Sequence, residues 1–221
     1  RQAFEERWAQ LGGRTVAQMV YSPRDNDFSA PLKTMLNLDQ SESRHRQLAT
    51  VLKRKLEFVP HRRQDVDFIF LAAYPRQARA IRPQLLFHHA GDVPLYATSH
   101  VFTGKVDARS DRDMDGIIFG DMPWLLGAPT PQQGVRQQAM SVLTQHTNQL
   151  ERRLVAMGVD AYNLVQRLNV LDQYPYERFQ GETGNLRVDE ENRVRRQMVW
   201  ARFENGVPQL LENIELEPGA R

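Results

Sequence analysis

The chain has 221 residues, 41 % of them hydrophobic, enough for one large or two small domains with a real core; it has no run of about 18 apolar residues that could form a membrane-spanning helix. A formal charge of +2, with a pI near 9.0, does not demand a polyanionic partner. Cysteine is absent, which rules out disulfides, thiolate metal sites and a cysteine nucleophile.

The first eleven residues, RQAFEERWAQL, are amphipathic, with Phe4, Trp8 and Leu11 on one stripe. No capping side chain precedes this helix, and Arg1 puts positive charge at the positive end of its dipole. Helices of a parallel sheet normally follow a strand, so a strand is expected just upstream of residue 1. Gly12-Gly13 closes the helix, Thr15 to Tyr21 reads as a strand, and Ser22 to Asp27 as a turn-rich loop. Phe28 to Leu38 predicts a short helix with Leu32, Met35 and Leu36 inward. Asp39 and Glu42 have capping-box spacing, and Leu48, Val51, Leu52 and Leu56 mark the buried face of the next helix. Its other face is basic: Arg44, Arg46, Lys53, Arg54 and Lys55, continued by His61, Arg62 and Arg63. A charge run of this kind is ordinarily a solvated face; the functional alternative is a patch for an acidic protein surface. Nucleic acid is disfavoured, because the interleaved aromatics that stack on bases are missing.

Asp65 to Ser99 is the organising stretch. Asp67 to Ala72 is a continuous apolar run, as in a strand buried on both faces. Pro75 suits the first turn of a helix, along which Ala78, Ile81 and Leu85 recur. Pro83 predicts a kink, and Gly91 a left-handed cap after His88 and His89. Val93 to Ala97 is the next strand, parallel to the first. Asp115 to Gly120 is another buried strand, Met122 to Leu126 leaves the sheet, and Gly127 to Gly134 is a loop between lobes. Thr147 to Asp172 is strongly helical, with Leu150, Leu154, Met157, Ala161, Leu164, Leu168 and Leu171 in phase and Gly158 as an interruption. A β region opens at Gly181 to Gly184, continues through Asn185 to Val188 and Arg196 to Phe203, and turns at Asn205-Gly206; the residues after Leu211 read as frayed.

Chemistry does not declare itself. Asp111, Asp113, Asp115 and Gly116 match half a calcium loop, but the closing Glu position is Met122, so a solvated acidic turn is expected. The histidines form no metal motif, and Ser99-His100 has neither a nucleophile elbow nor a third member. Tyr74, Ser99, His100 and Trp124 follow strand ends, where α/β folds place ligands. For Trp124 an ordinary core residue is the favoured reading, and an exposed aromatic beside a hinge is the functional alternative. The residues alone give an α/β chain with a parallel sheet, two lobes and no catalytic apparatus.

The segments RRQDVDFIFLAAYPRQAR, PLYATSHVFTG, DMDGIIFGDMPWLL, AMGVDAYNL and FQGETGNLRVDEENRVRRQMVWARFENGVP, spread over most of the chain, resemble the C-terminal domain of the penicillin-binding protein activator LpoA family. The wider resemblance is to type I periplasmic solute-binding proteins. It implies a Rossmann-like parallel sheet with one lobe nearly complete and the other partial, closed by a C-terminal β-hairpin. Residues 1–120 would be the second lobe, lacking its leading strand, and residues 121–221 the hinge, the returning part of the first lobe and the hairpin. The family implies a non-catalytic outer-membrane lipoprotein on the periplasmic side. It would stimulate the transpeptidase of a class A penicillin-binding protein by contact, and touch membrane only through a lipid anchor outside this chain. No cofactor is implied. The partner surface would be Arg44, Arg46, Arg54, Lys55, Arg62 and Arg63. A small-molecule-binding or sensing module, with Tyr74, Ser99, His100 and Trp124 in an interlobe cleft, is the alternative.

Overall fold

A computed structural model of the protein describes residues 1–22, 24–131, 133–142, 148–174 and 176–211, without the side chains of 133 and 142. Thr147, the expected start of the long helix, and the segment beyond Leu211, expected to fray, lie outside the described residues. In chain order the elements are α1 (Gln2–Gln10), α2 (Ser29–Met35), α3 (Leu38–Leu52), β1 (Ile69–Leu71), α4 (Pro75–Phe87), β2 (Leu95–Ala97), β3 (Ile117–Asp121), α5 (Pro123–Leu126), α6 (Gln133–Val142), α7 (Gln149–Val165), α8 (Leu168–Gln173), β4 (Phe179–Gln180), β5 (Asn185–Val188), β6 (Val194–Gln197), β7 (Val199–Glu204) and β8 (Val207–Leu210).

The organising unit forms as the sequence predicts. Pro75 occupies the first turn of α4, and β1, β2 and β3 run parallel, with Ile69 opposite Leu95 and Leu95 opposite Ile117. Every residue of β3 is buried, as a central strand covered on both faces requires. Ala78, Ile81 and Leu85 seat α4 on this sheet in one core with Leu32, Leu36, Phe119 and Phe203. α4 runs through Pro83 unbroken. The residue with positive φ after it is His89, not Gly91. His88 caps the helix from inside the core, with Nε2 2.7 Å from Ser29 Oγ; burial pushes its pKa down, so the neutral ring is the form the fold accepts.

The sheet then takes an antiparallel extension. β7 pairs with β3 and β8 with β7, giving the order β1-β2-β3-β7-β8; β4, β5 and β6 form a second, antiparallel sheet. The Asn205-Gly206 turn has φ of 52° and 74° at its two residues, the pair of left-handed conformations that a tight hairpin matching strand twist needs. The run Arg196 to Phe203 is not one strand: it is cut at Met198, with β6 in one sheet and β7 in the other.

Several expectations are corrected. Thr15 to Tyr21 joins no ladder. It runs beside β1 across an open cleft, held by Tyr21 Oη donating to the Ala72 carbonyl at 2.7 Å and Arg63 Nη1 donating to the Val16 carbonyl at 3.1 Å. Asp39 and Glu42 do not form a capping box: Asn37, in the left-handed region, precedes α3, Asp39 accepts from Thr34 and Glu42 pairs with Lys33. Gly158 does not interrupt α7; the break falls at Gln166-Arg167. The expected inward face of α3 is in solvent, with Leu48, Val51 and Leu52 at 54, 77 and 54 % exposure. On α7, Leu150, Leu154 and Met157 are exposed as well; Leu164 is buried as expected, but with Ala156 and Asp160 rather than with them. The acidic turn is not simply solvated: Asp111 is buried and takes Arg79 Nη2 at 2.6 Å, while Asp115 accepts the Gly206 N–H at 2.8 Å.

Candidate functional site

Parallel strands deliver their C-terminal ends to one edge, and the segments that follow β1, β2 and β3 meet there. After β1 comes Tyr74, 63 % exposed; its ring meets His100 edge-on, with centroids 5.6 Å apart. His100 lies with Ser99 in a single 3₁₀ turn after β2. Tyr74 and His100 stand at the mouth of a cleft of about 1180 Å³, whose floor is β1 and whose walls include Phe4, Trp8 and the Arg14–Tyr21 segment. Phe4 stacks on Phe70 at 3.9 Å and Trp8 meets Phe68 edge-on, so α1 is held to this wall by aromatic contacts.

Ser99 and Trp124 do not share that cleft. The Ser99 carbonyl accepts from Arg153 Nη2 at 3.2 Å. Trp124 is buried, not an exposed aromatic beside a hinge: it packs with Met122 and Ala156, and the Arg136 guanidinium lies 5.7 Å over its ring. The structure therefore pairs Tyr74 with His100 and sends Ser99 and Trp124 to the place where the chain leaves the sheet.

That crossing holds three buried carboxylates that sequence reasoning missed. Asp121, at the end of β3, is fully buried and takes Arg153 in bidentate fashion, Nη1 to Oδ1 at 2.5 Å and Nη2 to Oδ2 at 2.7 Å; its Oδ1 also accepts the Met122 N–H. Burial pushes the Asp121 pKa up, against the opposing pull of Arg153. Asp160 of α7 accepts from the Glu182 and Thr183 N–H groups and the Thr183 hydroxyl, all within 2.7 Å, and so clamps the Gly181–Gly184 loop. Glu182, also fully buried, accepts from Arg136 Nε at 2.6 Å and the Thr130 hydroxyl at 2.5 Å. One signal was available: charged residues inside apolar or glycine-rich stretches, as in IIFGD and GETG, are placed for a buried partner. This machinery fixes geometry. Among the described residues no group of His, Asp and Glu is arranged to hold a metal ion.

The six basic residues of the sequence-predicted partner surface divide into two sets. Arg44, Arg46, Arg54 and Lys55 are exposed. Arg62 and Arg63 are pins, with side chains only 10 and 15 % exposed: Arg62 bonds Asp92 and the His89 carbonyl, and Arg63 bonds both oxygens of Asp65. The hydrogen bonds from Arg63 hold Asp65 at a pKa of about 2. Its folded pKa lies below the unfolded one, so the stabilisation is complete above about pH 4 and is lost as pH falls through 2. In Arg63→Gln, an NMR titration should find the Asp65 carboxyl back near its ordinary value of about 3.9. A carboxyl still titrating near 2 in that variant would mean that Arg63 is not the cause.

The parallel β1-β2-β3 sheet, with α4 crossing from β1 to β2 and an antiparallel extension at β7-β8, has the fold of the type I periplasmic solute-binding class. It superimposes on the Haemophilus influenzae "LpoA (YraM) C-domain", described as a regulator of PBP1A, with a TM-score of 0.56 at 20 % identity, covering 96 % of this chain and 65 % of that one. It also superimposes on a Chromobacterium violaceum protein described as a "putative branched-chain amino acid ABC transporter", with a TM-score of 0.59 at 25 % identity, covering 91 % and 54 %. The family model for "LppC putative lipoprotein" matches residues 1–206, and the chain belongs to that family. Curated relatives named penicillin-binding protein activator LpoA include those of Photobacterium profundum, 30 % identical over 91 % of this chain, and Vibrio cholerae, 28 % identical over 93 %. The chain spans about a third of the length of these relatives, 32 % and 33 %.

Proposed function

We propose that this chain is the solute-binding-protein-like part of a non-catalytic outer-membrane lipoprotein that acts on the periplasmic side. It stimulates the transpeptidase of a class A penicillin-binding protein by contact. The family and the names of its relatives support the role. Residues 1–120 form the second lobe; residues 121–221 form the hinge, the returning part of the first lobe and the hairpin. Such an activator works by binding an active conformation of the synthase more tightly than an inactive one. A crossing pinned by three desolvated carboxylates suits a module that presents a fixed surface.

The observation that carries the contact surface is the outer end of α3. Leu48, Val51 and Leu52 stand in solvent, rimmed by the exposed cations Arg44, Arg46, Arg54 and Lys55. An apolar strip with a charged rim has the composition of a protein contact rather than of a solvated helix face. The partner surface it fits is apolar at its centre and acidic around it. The test is the triple reversal Arg46→Glu, Arg54→Glu and Lys55→Glu, which spares the structural pins Arg62 and Arg63. With the thermal unfolding curve unchanged, capture of the synthase and stimulation of its transpeptidase should weaken by about tenfold or more, the equivalent of roughly 1.4 kcal/mol. Wild-type capture and stimulation by this variant would remove α3 as the surface.

A second reading, a small-molecule-sensing module, would use the cleft of about 1180 Å³ with Tyr74 and His100 in its lining; that lining lies within residues 1–100, so the cleft is inside the proposed second lobe and is not the expected interlobe cleft. A saturable thermal shift by one amino acid out of a panel, abolished in Tyr74→Ala, would favour it over the regulator.

A further inference from the structure

A second cleft, of about 650 Å³, lies where α1 faces the β5–β6 hairpin. Its lining is basic: Arg7, Arg178, Arg187, Arg195 and Arg196 against the single carboxylate of Asp189. The strand register explains how the charge is gathered. Arg187 of β5 is directly opposite Arg195 of β6, and Asn185 is opposite Gln197. Alternation puts these four on one face, while Leu186 and Val188 of the same strand are buried with Leu164, Leu171 and Phe179 on the other.

Like charges directly opposite across a strand pair destabilise the pair, and an acid facing each arginine would have relieved it. Here the relief is partial. Asp189 accepts the Arg193 N–H at 2.8 Å and Arg195 Nε at 2.5 Å, which hold its pKa down, and Glu191 lies 3.8 Å from Arg195 Nη2. Arg187 and Arg7 have no carboxylate within ion-pair distance among the described residues; Arg7 bonds only Gln10, at 3.3 Å. Two guanidinium groups side by side, a third from α1 and a concavity of small-molecule size form a site for negative charge.

We propose that this cleft binds a multiply charged oxyanion whose acidic groups engage Arg187 and Arg195, with Arg7 contributing from α1. The shared chemistry is two or more oxyanion charges within one small span. It can come from a free polycarboxylate or phosphate, or from neighbouring acidic side chains of a peptide. The inference is independent of the regulator reading, whose proposed surface is on α3.

The experiment is isothermal titration calorimetry of the whole chain at low ionic strength. The probes are citrate, inorganic phosphate and a hexaglutamate peptide, tested on wild type, Arg187→Gln, Arg7→Gln and the exposed Arg109→Gln, which is outside the cleft. Saturable one-to-one binding of citrate or phosphate, weakened about tenfold or more in the Arg187 and Arg7 variants and unchanged in the Arg109 variant, supports a free anion as ligand. The same pattern with hexaglutamate alone supports a peptide source. No saturable binding of any probe, or equal binding by all variants, overturns the proposal. Because Arg187 and Arg7 are exposed, folding of the variants is checked by circular dichroism, and added salt should weaken genuine binding steeply.

Discussion

Arg153→Ala is expected to lower stability by about 3–5 kcal/mol, the usual cost of stripping one partner from a buried ion pair. The substitution leaves Asp121 fully buried with the Met122 N–H as its remaining neighbour hydrogen bond, and it removes the donor to the Ser99 carbonyl. Burial already pushes the Asp121 pKa up with Arg153 in place; without the guanidinium the shift grows. The folded pKa then lies above the unfolded one, so the folded state holds more protons and stability falls as pH rises towards the folded value. The deficit of Arg153→Ala relative to wild type is therefore greatest near neutral pH and shrinks as pH is lowered. Urea unfolding of both proteins at several pH values reads this directly. Adding Asp121→Asn to Arg153→Ala should recover part of the loss, because the unpaired charge is gone. A loss below about 1 kcal/mol, the level of an exposed pair, would show that the crossing is not held by this contact.

The contrast between what the sequence showed and what it hid follows from range. β1, α4, β2 and β3 were legible because each is specified locally: Pro75 sets a helix start, and the apolar runs of Asp67 to Ala72 and Asp115 to Gly120 set strands, although only β3 is covered on both faces and β1, at the sheet edge, is half-buried. The Asn205-Gly206 turn was legible for the same reason. Thr15 to Tyr21 has the alternation of a strand, but a strand needs a partner within hydrogen-bond reach, and a cleft separates it from β1. Leu48, Val51, Leu150 and Leu154 have helical phase, which establishes a helix but does not supply the surface that would cover its apolar side. The cut at Met198 was invisible because β6 and β7 are consecutive in sequence and belong to different sheets.

The candidate site was legible only in outline. Strand-end reasoning brought Tyr74 and His100 together across 25 intervening residues and failed for Trp124, whose burial depends on Arg136 and Ala156 from later elements of the chain. Asp121, Asp160 and Glu182 pair over 22 to 46 positions, beyond any local pattern. The arginine face of the second cleft was hidden differently: Arg187 and Arg195 become neighbours only once the hairpin register is known.

Phe203→Ala is expected to cost about 3–5 kcal/mol, the range for truncating a buried aromatic. Phe203 lies on β7, the antiparallel strand added after the chain has crossed away and returned, yet it is fully buried. Its ring stacks on Phe119 of β3 with centroids 4.9 Å apart and meets Phe102 at 6.2 Å. Its carbonyl accepts the Gly116 N–H at 2.8 Å, just before β3 begins. The hairpin of β7 and β8 is thus part of the core of the parallel sheet, and its removal opens a cavity between strands that are far apart in sequence. For a chain of this size the loss corresponds to a fall in melting temperature of roughly 6–20 °C. Phe203→Leu, which keeps most of the volume, should lose less than half as much. If calorimetry of Phe203→Ala shows a shift of only about 1–2 °C, the hairpin is an appendage and the sheet is complete without it.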